Sequence, residues 1–143
     1  MKVSRILMIL IVTAIHCRAA AEDHVYSEKG ITWRQNTKAV VEVSGLWRGC
    51  YPPGRTFDEF VGNVVKRNFA DDAIHINNFV VEYTDDGTRQ MINIDPLPAE
   101  ASMALISAVI PALQHLLREG RTIHGKTRAC GVAGRVLVLE AVR

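Results

Sequence analysis

The stretch Thr56–Phe69, TFDEFVGNVVKRNF, is the one whose assignment decides the fold. Thr56 and Glu59 have the spacing of a capping box, a hydroxyl and a carboxylate placed to satisfy the free amides of a helix start. Phe57, Phe60, Val61, Val64 and Val65 then recur at i, i+3, i+4, i+7 and i+8, a single apolar stripe at helical period. The spacing predicts a first helix that ends at Asn68-Phe69.

Before it, Tyr51-Pro52-Pro53-Gly54 breaks the chain, since proline cannot donate to a ladder and glycine permits the turn. Ala39–Arg48 reads as a half-buried strand, with Val41, Val43 and Trp47 on one side and Glu42, Ser44, Arg48 and then Cys50 on the other. Glu22–Lys38 is polar and irregular, with a lone strand-like Ile31-Thr32-Trp33.

After it, Ala73–Tyr83 is strand-like, but its apolar phase switches from Ile74/Ile76 to Phe79/Val81/Tyr83 across Asn77-Asn78. A one-residue slip exchanges faces, so this pair predicts a bulge. Asp85-Asp86-Gly87-Thr88 is a hairpin turn, and Arg89–Ile94 returns the chain. A second helix is expected over Ala99–Glu119, closed by Gly120, with Pro111 kinking or splitting it. Its polar positions form one narrow stripe, so it needs cover on more than one side, from loops or from a second copy of the chain. The tail predicts a hairpin, Arg121–Cys130 and Arg135–Val142, whose last strand is apolar on both faces and therefore central. The expected order is β-α-ββ-α-ββ. This is an α+β chain, either a small antiparallel sheet with two helices on one face or an OB-like curled barrel of about five strands. No internal repeat and no family-specific motif is present.

Met1–Ala21 has the order of an export signal. Lys2 and Arg5 precede the ten-residue apolar run Ile6–Ile15, and Ala19-Ala20-Ala21 supplies small residues for cleavage. Ten residues span about 15 Å as a helix, half a bilayer core, so no permanent membrane anchor is expected. The expected organisation is a signal peptide, 1–21, and one disulfide-bonded domain, 22–143. The whole sequence has 17 Lys+Arg and 15 Asp+Glu, and clipping removes Lys2, Arg5 and Arg18, so the charge passes from +2 to −1. With 6% aromatics, that balance excludes nucleic acid as the expected partner.

Clipping also removes Cys17 and leaves Cys50 and Cys130, which in an oxidising compartment predict one disulfide. Closing a loop of roughly 80 residues should add about 4 kcal/mol on the chain-entropy account. No metal is expected, because neither a C-x-x-C pair nor a histidine spacing such as H-x-x-x-H occurs. No cofactor motif is present either. Asp71-Asp72 and Asp85-Asp86 are adjacent carboxylates, but both fall where aspartate serves turns.

One constellation stands out. Thr122, His124, Lys126, Arg128 and Cys130 share a strand face at period two, as do Arg48 and Cys50. Joining the cysteines would bring Arg48 and Arg128 together and extend the row through Lys126 and His124 into a basic stripe, with Trp47 and Tyr51 as stacking surface. The plainer alternative is that these charges keep a strand face solvated. The expectation is an exported binding or accessory module without catalysis, in the periplasm or secreted, taking an anionic ligand, a glycan or a protein partner. A small secreted hydrolase with a spatially assembled site and an OB-like subunit of a secreted assembly are the alternatives.

Overall fold

The described residues of this computed structural model, 22–49 and 57–143, form eight strands and one α-helix. In chain order these are β1 (His24–Glu28), β2 (Ile31–Gln35), β3 (Val40–Ser44), β4 (Phe57–Phe69), β5 (Ile76–Tyr83), β6 (Arg89–Asn93), α1 (Met103–Leu116), β7 (Thr122–Cys130) and β8 (Val136–Val142). Residues 1–21, Cys50, Tyr51, the Pro52-Pro53-Gly54 segment and Thr56, the expected cap, lie outside the described residues.

The expected first helix is instead β4, the longest strand. Its N-terminal half pairs with β7, from Phe57↔Arg128 to Asn63↔Thr122, and its C-terminal half pairs with β5, from Gly62↔Tyr83 to Phe69↔Ile76. Phe60, Gly62 and Val64 form the more buried row, a period-two pattern that shares Phe60 and Val64 with the helical stripe. Gly62 sits where both partners meet. A Cβ there would lie 2.4 Å from Val81 Cγ2 and 2.8 Å from the Glu82 carbonyl oxygen, so the crossing accepts only glycine. Val65 is skipped in the pairing between Val64↔Val81 and Lys66↔Val80, a bulge that bends the strand from one partner toward the other.

The sheet runs β1-β2-β3-β8-β6-β5-β4-β7, and β7 also pairs with β8. Strands β4, β5, β6, β8 and β7 therefore close a five-stranded barrel. The β6–β8 contact (Ile92↔Leu137, Asn93↔Val138) is parallel, and the other barrel pairings are antiparallel. Strand β8 is central, as its apolar faces required, with β3, β6 and β7 all hydrogen-bonded to it. The bulge expected at Asn77-Asn78 is present, because the register steps from Asn68↔Asn78 to Phe69↔Ile76 and leaves Asn77 over.

A meander of β1, β2 and β3 hangs on the barrel through Val43↔Val142 and Ser44↔Ala141. Its first hairpin turns on Lys29-Gly30, with φ of 52° and 80°, the two-residue geometry that matches strand twist. Glu22–Lys38 is thus not irregular.

Among the described residues there is one helix rather than two. It starts at Ser102, whose hydroxyl accepts from the Leu105 amide at 3.2 Å, and it runs through Pro111 unbroken. Leu105, Val109, Leu113 and Leu116 belong to one core that also holds Ile31, Trp33 and Val43 of the meander and Phe79, Val81, Ile92 and Leu139 of the barrel. The helix is apolar on several sides because the meander and the barrel both pack on it. Its outer side keeps Met103, Ala104 and Pro111 exposed. Glu28 ties this assembly by accepting from the Ser102 hydroxyl and from its amide, and those bonds hold its carboxyl below the usual range.

The β4–β5 turn is closed by Asp72, whose Oδ1 accepts from the Ile74 and His75 amides at 2.9 Å while its other oxygen meets the His75 ring. The His75 amide, then the Ile74 amide, then the His75 ring pull this carboxyl down to about 2. A depressed carboxyl stabilises the fold above its unfolded value of about 3.9, and that contribution is lost as pH falls through the folded value. Thermal melts of wild type should therefore lose stability between about pH 4 and pH 2 through this turn. Asp72→Asn, which keeps an amide-accepting oxygen, should show a shallower fall over that window, and parallel curves would remove the assignment.

Candidate functional site

Strand β7 alternates as the period-two reading required. Ile123, Gly125 and Thr127 are buried, while Thr122, His124 and Lys126 are exposed on the other face. Lys126 lies opposite Glu59 of β4, and its ammonium reaches that carboxylate at 3.1 Å. His124 lies between Val61 on β4 and the residue after β8, Arg143. The His124 and Arg143 amides each donate to the other's carbonyl, at 3.0 and 2.9 Å. Residues paired in this way carry their side chains on one face, roughly 5 Å apart at Cβ. Both side chains are exposed, and neither belongs to an ion pair among the described residues.

This pair opens onto a cleft of about 390 Å³, within the range of small-ligand sites. Phe60, Val61 and Val142 supply apolar lining, and Glu42, Glu59, Asp85 and Lys126 line it with charge. Gly125 makes room for Phe60, since a Cβ on it would stand 2.4 Å from the ring. Phe60 in turn packs on Tyr83 with ring centres 5.6 Å apart. Burial, and then the negative charges of Asp58, Asp85 and Asp86, push the Tyr83 phenol up, so it remains a neutral hydroxyl beside this wall. Glu42 is held by a two-pronged contact from Arg34, at 2.9 and 3.2 Å.

The expected basic stripe is divided. Arg128 is half-buried between two aromatic rings, its guanidinium carbon 3.8 Å from the centre of Trp47 and 4.0 Å from that of Phe57. Its Nε is buried without a hydrogen-bond partner. Stacking of this kind contributes about 0.5–2 kcal/mol per ring. Arg128 thus joins the segment after β3 to the start of β4, and Trp47 stacks on protein. Arg48 does not continue the row. Its guanidinium donates to the Lys29 carbonyl at 2.8 Å and to the Gly45 carbonyl, and its amide donates to Asp95 at 2.7 Å. The reason is Gly45, whose φ of +75° takes the chain out of β conformation, so alternation counted from Ser44 stops there. Tyr51 and Cys50 lie outside the described residues, and Cys130 ends β7 in a buried position.

A His–carboxylate contact is formed by His75 and Asp72, on an exposed turn away from the cleft. Among the described residues no group of three or more His, Cys, Asp or Glu is arranged around a metal position. None of their helices is long and apolar enough to cross a membrane. The sequence reading missed Arg143 and Phe60. The period-two row of β7 pointed to the first, since whatever lies opposite His124 must share its face. The chain matches no known family model, no curated protein and no solved structure.

Proposed function

We propose that this chain is an exported, non-catalytic binding module that takes a small anionic ligand, such as a carboxylated sugar, in the cleft beside His124 and Arg143. The observation that carries the reading is the cross-strand His124/Arg143 pair, exposed at the mouth of the cleft and uncommitted to any ion pair among the described residues. A carboxylate can receive donors from both side chains, and charge-assisted bonds to a guanidinium are strong and directional. Glu59 and Asp85, which also line the cleft, suit the hydroxyls of a sugar ring, and the apolar lining suits its C–H face. We further read the barrel as OB-type. The order β4-β5-β6-β8-β7, with the helix between the third and fourth barrel strands and a parallel contact closing third to fifth, supports it.

Export rests on the charged, apolar and small-residue order of Met1–Ala21. The Cys50–Cys130 disulfide is supported by the bonded state of the Cys130 sulfur. It is also supported by the Trp47–Arg128 contact, which brings the segment before Cys50 onto the strand that ends at Cys130.

Calorimetric titration with glucuronate and with inorganic phosphate, against glucose as the neutral control, tests the ligand reading. Binding of glucuronate, phosphate or both is expected, with Arg143→Glu weakening it at least about tenfold, or about 1.4 kcal/mol, and His124→Ala acting in the same direction. Unchanged affinity in both variants, or binding of glucose alone, would overturn the site.

A further inference from the structure

Closure of the barrel leaves β1 at the open end of the sheet. It pairs with β2 alone among the described residues, while β8 joins three strands and β4 and β7 close the ring. An unpaired edge templates another strand, and soluble proteins usually blunt it with proline, an inward charge or a bulge. Strand β1, His24-Val25-Tyr26-Ser27-Glu28, has no proline, and its five pairs with β2 are continuous. Val25 is 63% exposed and Tyr26 46%.

The edge is also complementary to itself. Laid antiparallel on a second copy with Tyr26 opposite Tyr26, it sets His24 against Glu28 and Val25 against Ser27. It also brings Lys29, the first turn residue, beside the other copy's Asp23, a carboxylate that accepts from Arg34 at 2.6 Å within its own chain. The backbone agrees with this register. In a two-residue hairpin the residues flanking the turn, Glu28 and Ile31, bond to each other, so Tyr26 and His24 also face β2. Val25 and Ser27 then present their amides and carbonyls to the open side, and they are the residues that this register makes partners. Tyr26 already stacks on Trp33 with ring centres 5.5 Å apart, so the two copies would form an unbroken row Trp33–Tyr26–Tyr26–Trp33.

We infer that β1 is a homodimer interface, joining two copies through antiparallel β1–β1 pairing centred on Tyr26 into one continuous sheet. The contact is short, so micromolar affinity is expected rather than an obligate assembly. It lies on a different strand and a different edge from the His124/Arg143 cleft.

Sedimentation velocity on the natively produced protein, over a concentration series reaching about 100 µM, tests this. A monomer–dimer equilibrium is expected. Val25→Pro should raise the dimer dissociation constant at least about tenfold, because proline at an outward-facing edge amide spares the monomer and removes a bond to the partner. Asp23→Lys and Lys29→Asp should each weaken self-association, and mixing those two variants should restore a dimer, since each Lys then meets an Asp. This rescue does not depend on the proline variant folding. A wild type that stays monomeric throughout, two charge variants whose mixture behaves as the separate samples do, or a dimer dissolved only by Met103→Glu on the helix would each overturn the proposal.

Discussion

Gly45→Ala is expected to destabilise the protein by at least about 3 kcal/mol and to lower its melting temperature by roughly 10 °C. Gly45 has φ of +75°, a conformation that costs any residue with a Cβ. Steric overlap adds more than the backbone conformation does. An added Cβ would stand 1.9 Å from the Gly30 carbonyl oxygen, 2.9 Å from the Gly30 carbonyl carbon and 3.2 Å from Ile31 Cα. All three are backbone atoms, so no rotamer change relieves the clash, and either the β1–β2 turn or the chain after β3 must move. Movement of either breaks a shared set of bonds. The Gly45 and Trp47 amides donate to the Glu140 carboxylate at 3.2 and 3.3 Å, and Arg48 clamps the Lys29 and Gly45 carbonyls. The meander would lift from the helix and expose Ile31, Val43 and Leu46, each at most 1% accessible. Thermal melts together with limited proteolysis measure this, and the first new cleavages should fall at Lys29 or Arg34. A melting temperature within about 2 °C of wild type would show that the close approach carries no energetic weight.

Phe79→Ala should cost about 3–5 kcal/mol by a different mechanism. Phe79 is fully buried and is the largest of the fully buried side chains. It sits on β5 between Arg67 of β4 and Ile92 of β6, inside the closed ring. Truncation removes apolar burial and leaves a cavity that hydrogen-bonded strands on both sides cannot collapse to fill. Phe69, 40% exposed at the end of β4, is the internal control, and Phe69→Ala should cost less than about 1 kcal/mol. Urea unfolding should shift the midpoint of Phe79→Ala strongly with little change in slope. Equal losses at the two positions would place the core elsewhere.

Most of the sheet was legible, and the exceptions have physical causes. β3, β5, β6, β7 and β8 follow from alternation and turn residues, and the bulge at Asn77 from a single phase switch. β1 was hidden because its residues are nearly all exposed, although Lys29-Gly30 between Val25-Tyr26 and Ile31-Thr32-Trp33 is a hairpin signal. β4 reads as a helix because apolar residues at Phe57, Phe60, Val61, Val64 and Val65 satisfy a helical stripe. Gly62 and three valines in that stretch weigh against a helix, and the period-two row Phe60, Gly62, Val64 is the one the barrel uses. At the site, strand geometry places His124 and Lys126 together correctly. Arg48 leaves the predicted row because alternation cannot be counted past Gly45, which leaves β conformation, whereas Arg128 meets the expected Trp47 but as a stacked contact.

By itself the sequence determined the central position of β8, the hairpin that ends the chain, the buried helix and the shared face of His124 and Lys126. Each of these follows from the spacing of apolar residues over a few neighbours, which local backbone geometry converts directly into a face. Only the tertiary structure decided that Phe57–Phe69 is a strand, that it closes a barrel, and that Arg128 is held between Trp47 and Phe57 while Arg143 stands beside His124. Those outcomes depend on partners distant along the chain. Hydrogen bonds to β5 and β7 on both sides of β4 outweigh a helical stripe that would have only itself to satisfy.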